Sequence, residues 1–356
     1  MPISETYKKK NTKHLAGDKQ YNRQIETVLL AKGIGIFLVV WSHFYSWNMP
    51  GYWLQLQKVI FKFYMPLFFI ISGYLLGIKK PHISSTKEYF DLISEKAIRL
   101  LLPFITVSVI YFVLKLITGI FFEISAPLTF TSLIYHIVYP VKSFAPHLWF
   151  IAALFLVFAV FPLLKLLLRK DPLIFLGAGI LALCPWPPDT YLAIAFSSLP
   201  FLAAGFCFKR VTFDRITLTI NALSIACCLV IFIAFYYIQY NIAENIYLKK
   251  FDALLLGVSG SVICINISSI LAEYKNRKGV RIVSMLGASS MAIYLFHPIF
   301  EGFVRILFDQ VIQRGSVIFE VKALLAIAAG CIFPLLLEKY LIVEQKFMKK
   351  LILGIN

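Results

Sequence analysis

Long apolar runs separated by short polar segments make up most of the chain, and no alternating strand pattern is visible. A transmembrane helix needs roughly 20 apolar residues, whereas a membrane-barrel strand alternates apolar and polar positions. The pattern therefore predicts an all-α polytopic membrane protein with about ten transmembrane helices. The predicted helices cover residues 26–47, 56–78, 98–122, 147–168, 172–187, 190–208, 216–238, 251–272, 282–307 and 318–337.

The composition indicates the same class of protein. Of the 356 residues, 60% are hydrophobic and 15% are charged, whereas soluble globular domains have about half and about a quarter. This balance excludes an ordinary soluble enzyme, a disordered chain and a nucleic-acid-binding module, so nucleic acid is not an expected partner. The lipid bilayer is the expected environment of the protein.

The net charge of +17 arises mainly from basic residues that recur in alternate loops. Cytoplasmic loops carry an excess of Lys and Arg, so this alternation predicts that both termini are cytoplasmic. The polar stretch before residue 25 is too long to begin a secretory signal peptide. We predict a basic cytoplasmic tail at residues 1–25, a membrane domain at 26–340 and a basic cytoplasmic C-terminal tail at 341–356.

The six cysteines all lie in apolar runs and form no Cys-x-x-Cys pair. This placement is typical of small hydrophobic residues rather than of disulfides or metal ligands. No metal-ligand spacing, nucleotide-binding loop or Gly-x-Ser-x-Gly segment is present in the sequence. We therefore expect no metal.

Lys32 and His43 are the clearest ionisable residues inside a predicted span. They are eleven residues apart, almost three helical turns, so both lie on one helix face about 16 Å apart along the axis. Gly33 and Gly35 allow another group to approach the backbone closely. Ionisable groups in a membrane are costly, which favours a functional role. The structural alternative is that Lys32 extends its amine to the membrane surface and His43 is a hydrogen-bonded interfacial residue.

Lys96 and Arg99 form a second basic pair, at the predicted cytoplasmic start of the third span. Residues three apart lie on one face of a regular helix. Two cations at a helix N-terminus can hold phosphate groups. The alternative is that both belong to the ring of positive charge that marks the cytoplasmic side of membrane proteins.

Two further candidates suit packing or interfacial roles as well as substrate binding. Ser72 lies beside Gly73, a pair of small residues suited to close helix packing. Trp149 begins the fourth span on the predicted outer side, where tryptophan commonly lies in the membrane interface.

His297 lies within the ninth span, beside Pro298 and one turn before Glu301. Both His43 and His297 lie about 25 Å from the cytoplasmic start of their spans, so the two imidazoles are expected in one layer. Alternatively, His297 bonds a backbone carbonyl that Pro298 leaves free.

These segments, taken in order between residues 27 and 299, resemble the integral-membrane acyltransferase-3 family. The spacing of Lys32 and His43 is similar to the family's basic residue and histidine in the first span. MPLFFIISGYLL resembles its Phe-Phe-x-x-Ser-Gly segment, and the basic pair at Lys96 and Arg99 is similar to its R-x-x-R pair. LWFIAALF and MAIYLFHP resemble its later signatures, and the first motif looks most like the branch of fucose 4-O-acetylases.

The resemblance implies a bacterial inner-membrane O-acyltransferase that moves an acetyl group from cytoplasmic acetyl-CoA to a surface carbohydrate. The expected acceptor is a surface glycan (O-antigen, capsule or exopolysaccharide) or a lipid-linked oligosaccharide. His43 would be the general base or acyl relay, since an imidazole titrates near neutrality. Lys32 would help with charge or orientation, while Lys96 and Arg99 would hold CoA phosphates. Ser72, Trp149, His297 and Glu301 are candidates for the acceptor side.

The alternative function is a transporter or flippase for a lipid-linked sugar, since many helices and buried cations are equally typical of that class. The internal repeat found in many transporters is missing from the sequence, which favours the enzyme.

Overall fold

The computed structural model describes residues 15–46, 49–79, 85–121, 129–139, 143–208, 217–239, 245–308 and 319–355. In these ranges the chain is helical and contains no strand, which confirms the predicted all-α membrane fold. The predicted N-terminal tail lies outside them up to residue 14. The cytoplasmic location of the termini and the boundaries at 25/26 and 340/341 stay predictions.

Fifteen α-helices lie in the described ranges, with short π-helical or 3-10 turns joining some of them. They are α1 (Leu15–His43), α2 (Gly51–Ile60), α3 (Tyr64–Lys79), α4 (Thr86–Lys96), α5 (Leu102–Phe121), α6 (Phe130–Val138), α7 (Trp149–Leu168), α8 (Asp171–Leu183), α9 (Tyr191–Cys207), α10 (Leu218–Ile238), α11 (Ile246–Leu271), α12 (Lys278–Ala288), α13 (Ser290–Ile306), α14 (Phe319–Leu337) and α15 (Lys346–Leu353).

Each of the ten predicted spans corresponds to helical structure, but three differ from a simple transmembrane helix. By length and composition, seven described segments can cross a membrane, or eight if α12 and α13 count as one bent span. The angle between α12 and α13 is 88°. The fifth and sixth predicted spans are the shorter helices α8 and α9, and α8 has only 13 residues. Because a straight span needs roughly 20 residues, the number of crossings stays a prediction.

The chain divides into two compact units. The first contains Met1–Ile71 and Lys209–Val343, and the second contains Ser72–Phe208 and Glu344–Asn356. The first unit thus includes α1, α2 and α10 to α14, whereas the second includes α4 to α9 and α15. Helix α3 contributes residues to both, because the division falls between Ile71 and Ser72.

In the first unit, glycines bring the backbones of α1 and α12 into direct contact. A Cβ atom at Gly33 would lie 2.0 Å from the carbonyl oxygen of Val283, and one at Gly287 would lie 1.8 Å from that of Leu29. Either position therefore excludes any larger side chain, since backbone atoms cannot move aside independently. The close approach expected at Gly33 is confirmed. At Gly35, side chains of Leu67 and Phe68 fill the space.

In the second unit, glycines allow two further close approaches. A Cβ at Gly73 would lie 1.9 Å from the carbonyl oxygen of Leu202, so α3 and α9 meet there. Gly354 ends α15 in the left-handed conformation, and its missing side chain lets it lie against the backbone of Arg99. The predicted C-terminal tail therefore contains a folded amphipathic helix, with Ile352 and Leu353 buried.

Replacing Gly287 by alanine tests the backbone contact. The added methyl group forces α1 and α12 apart, so Gly287→Ala should lower the free energy of unfolding by roughly 1–3 kcal/mol. Gly279→Ala is a matched control on the same helix, because no atom lies within 4 Å of a Cβ there. Thermal unfolding in detergent should show a lower midpoint for Gly287→Ala alone. Equal midpoints for both variants would contradict the packing.

Candidate active site

His43 is the last residue of α1, and its ring is anchored to the helix backbone. The Nδ1 atom lies 2.8 Å from the carbonyl oxygen of Val39. A carbonyl oxygen only accepts hydrogen bonds, so Nδ1 carries the hydrogen and donates it. In the neutral ring the lone pair therefore lies on Nε2, which is the arrangement that a general base or nucleophile requires. The side chain is partly buried.

His297 is fully buried in α13 and is anchored in the same way. Its Nδ1 atom donates to the carbonyl oxygens of Ile293 and Tyr294, at 2.9 and 3.0 Å. Pro298 lacks the amide hydrogen that would otherwise bond the Tyr294 carbonyl. The imidazole thus bonds a carbonyl that the proline leaves free. This arrangement is one of the two interpretations of His297 that the sequence left open.

The imidazole rings of His43 and His297 lie next to each other. Their ring centroids lie 5.1 Å apart in an edge-to-face arrangement with an interplanar angle of 79°. The expectation that His43 and His297 share one layer is therefore confirmed, although they come from the first and ninth predicted spans. At this distance a proton on one ring electrostatically opposes a proton on the other, so the pair favours a single positive charge at most.

Glu301 lies one turn after His297 and is 6% exposed. Its Oε1 atom is buried and has no hydrogen-bond partner among the described residues. Gly330 on α14 leaves room for the carboxyl group, because a Cβ there would lie 3.0 Å from Oε1 and 2.9 Å from a methyl carbon of Val40. A polar atom in such a place needs a proton or a ligand to offset its desolvation.

Lys32 is partly buried and lies about three turns before His43, which is about 16 Å along α1. Its charge interacts with that of Glu338, which follows α14 and also bonds the side chain of Ser289. Ser289 is the residue at the bend between α12 and α13. The interaction with Glu338 thus places Lys32 near the bend.

Lys96 and Arg99 lie in the second unit and occupy different environments. Lys96 is 7% exposed, with its Nζ atom 3.6 Å from Glu95 and 4.9 Å from the ring centroid of Phe158. Arg99 is exposed and belongs to the π-helical turn Ala97–Leu101. The two side chains therefore differ in exposure, and the wider π-helical turn lies between them. Their joint role as a phosphate-binding pair stays a prediction.

Ser72 and Trp149 also belong to the second unit. Ser72 is partly buried beside Gly73, which contacts α9. Trp149 begins α7 and is partly buried. His43, His297, Glu301 and Lys32 lie in the first unit, so the candidate residues divide equally between the two units.

His136 is a buried polar residue that sequence reasoning missed. It lies on the short helix α6, with Nε2 2.9 Å from Ser108 Oγ and Nδ1 2.7 Å from Ser143 Oγ. Ser108 donates its hydrogen to the Phe104 carbonyl, so it accepts from His136 Nε2. Burial lowers the pKa of His136 to about 4. The cluster connects α5 and α6 to the segment that precedes α7.

The fold and the imidazole pair define a polytopic helical membrane protein with a buried, backbone-anchored histidine site. The sequence model of the acyltransferase-3 family, described as an acyltransferase domain, matches residues 27–338. The chain belongs to this family and is a membrane acyltransferase. No curated protein and no solved structure matches the chain.

The pKa of His136 gives the protein a specific dependence on pH. Because the folded state holds the pKa at about 4, below the usual 6.5, the neutral ring is favoured and stability falls as the pH drops below 6.5. The loss is complete near pH 4 and amounts to roughly 3 kcal/mol. His136→Gln removes this titration, so its thermal midpoint should fall less than that of the wild type between pH 7 and pH 4.5. Parallel falls would contradict the assignment.

Proposed function

We propose that the protein is an O-acyltransferase that moves an acyl group, acetyl in the simplest case, from acetyl-CoA to a carbohydrate hydroxyl. The observation that carries the proposal is the His43–His297 pair, whose anchored ring leaves Nε2 of His43 as a base within a chain of the acyltransferase-3 family. The donor and the acceptor come from the family resemblance. The same proposal includes membership of the fucose 4-O-acetylase-like branch and a location in the bacterial inner membrane. It also includes a surface glycan or a lipid-linked oligosaccharide as the acceptor.

His43 provides the proton transfer. As the sugar hydroxyl attacks the thioester carbonyl, its proton moves to Nε2 of His43, and a new C–O bond forms. The C–S bond then breaks, and the CoA sulfur leaves with the proton. In the variant with an acyl relay, Nε2 first attacks the thioester carbonyl, the C–S bond breaks and CoA leaves as the thiolate. The sugar hydroxyl then attacks the acyl carbonyl, the bond from Nε2 to the acyl carbon breaks, and the hydroxyl proton ends on the CoA sulfur. Both routes need a neutral imidazole with its lone pair on Nε2, which the Val39 bond favours.

His297 and Glu301 are proposed to bind the acceptor. The ring of His297 lies beside that of His43. Protonation of His297 is disfavoured whenever His43 carries the proton, because the two positive charges would repel each other. Glu301 offers a buried oxygen atom that a sugar hydroxyl can satisfy. Ser72 and Trp149 are proposed as further acceptor-side residues, on the basis of the sequence alone.

Lys96 and Arg99 are proposed to hold the CoA phosphates. Arg99 presents an exposed guanidinium, which binds phosphate through two parallel hydrogen bonds. Lys96 contributes charge from a more buried position. Lys32 is proposed to act on orientation through the bend at Ser289, consistent with its interaction with Glu338.

Replacing His43 tests the chemical step. His43→Ala should lower acetyl-CoA turnover at least about 100-fold, since general base catalysis contributes that much, while the protein stays folded. Tyr45→Ala is the matched control, because Tyr45 lies two residues further on and is 57% exposed. Turnover is measured as free CoA thiol released by purified protein with a glycan extract of the host. Wild-type turnover in His43→Ala would disprove the role, and a transporter would show none in either protein.

Replacing Arg99 tests donor binding separately. Arg99→Ala should raise the KM for acetyl-CoA at least about tenfold, because it removes the charged hydrogen bonds to phosphate, and change kcat little. Lys87→Ala on α4 is the control, because Lys87 is also an exposed cation in the second unit. An unchanged KM for Arg99→Ala would remove the residue from the phosphate site.

A further inference from the structure

The backbone on both sides of His43 is held by one side chain from another helix. Gln57 on α2 donates from its Nε2 atom to the carbonyl oxygen of Ser42 at 3.0 Å and to that of Phe44 at 2.9 Å. The last carbonyls of an α-helix lack donors within the helix, so Gln57 completes the end of α1. The bonds are protected from water, since Gln57 is 7% exposed and Phe44 is 1% exposed.

An aromatic cluster fixes the helix that carries Gln57. Trp53 lies one turn earlier on α2, and its ring centroid is 4.3 Å from that of Trp41. The same indole lies 5.1 Å from Phe319 and 6.1 Å from Phe44. Aromatic pairs at these distances add attraction beyond the area that they bury. Helix α2 is therefore fixed to the end of α1, and the Gln57 amide has little freedom to leave the two carbonyls.

A second set of bonds fixes the ring to the same short segment. Ser42 Oγ donates to the Val39 carbonyl at 2.9 Å, and this oxygen also accepts from His43 Nδ1. The hydroxyl of Tyr64 bonds Ser42, and the Tyr64 ring lies 6.4 Å from that of His43. The imidazole is thus tied to Val39, while the peptide groups of its two neighbours are tied to Gln57.

We propose that Gln57 is a positioning residue that holds His43 Nε2 at the place of acyl transfer; this inference rests on the proposed function. Both amide hydrogens of Gln57 are used, one for each neighbouring carbonyl. Losing them lets the end of α1 rotate and moves Nε2, although the imidazole itself is unchanged. A displacement of 1 Å at a reacting group can cost about 100-fold in rate. The loss therefore appears in kcat and not in the binding of acetyl-CoA.

Two substitutions of nearly equal size separate the hydrogen bonds from the volume of the side chain. Gln57→Glu replaces the amide by a carboxyl group. When this group is ionised its oxygen atoms can accept but not donate hydrogen bonds, and they face two carbonyl oxygens. Gln57→Met keeps the length of the side chain but offers no donor. Gln55→Glu is the matched control, since Gln55 is exposed on the same helix and undergoes the same chemical change.

The experiment measures kcat and the KM for acetyl-CoA of the purified full-length variants, together with their thermal midpoints. We expect kcat to fall about 10- to 100-fold in both Gln57 variants, with KM within about twofold of the wild type. Gln55→Glu should match the wild type in all three quantities. The Gln57→Met variant carries the test if Gln57→Glu does not fold.

Three results would overturn the inference. The first is wild-type kcat in Gln57→Met while His43→Ala is inactive, which leaves the proposed function intact. The second is a change confined to KM, which assigns Gln57 to substrate binding. A change confined to the yield of folded protein in both Gln57 variants likewise overturns the inference and assigns Gln57 to stability. The third is wild-type turnover in His43→Ala, which removes the proposed function and this inference with it.

Discussion

Direct backbone contact between α1 and α12 sets the position of the first helix, and the site depends on that position. Gly33 and Gly287 leave no side chain between the two helices, so their separation is fixed by backbone atoms rather than by adjustable side chains. His43 lies about three turns beyond Gly33 on the same helix. A helix is stiff over this length, so the glycine contact and the aromatic cluster around Trp53 together determine where the imidazole lies.

His43 and His297 are both anchored through Nδ1, so the lone pair of each neutral imidazole lies on Nε2. Each ring donates its Nδ1 hydrogen to a backbone carbonyl, which fixes its tautomer. A neutral carbonyl stabilises an imidazolium less than a carboxylate would, so a proton gained by His43 is readily given up again. This property suits a base that must accept a proton from a hydroxyl and pass it to a leaving thiolate within one turnover.

Much of the fold and part of the site could be predicted from the sequence. The ten apolar runs all correspond to helical structure, although the short helices α4, α6 and α15 lie outside them. The matching depths of His43 and His297 place them in one layer, because helical rise per residue is constant. The bend at Ser289 was missed, although Gly287 and the following serines are a local signal for a break. The π-helical turn at Ala97–Leu101 gives no such signal, so the environments of Lys96 and Arg99 were not predictable. Gln57 and His136 were also missed. Both side chains bond residues on other segments of the chain, and hydrophobic periodicity does not encode such bonds.

Glycan analysis of the native host tests the central claim most directly, because it reads the product where the protein acts. The gene is deleted and then restored as wild type or as His43→Ala, and surface glycans are compared by mass spectrometry before and after mild base. The account predicts that a base-labile acetyl increment disappears on deletion, returns with the wild type and stays absent with His43→Ala. Unchanged acetylation in the deletion strain, with altered amount or length of the glycan, would contradict it and indicate transport.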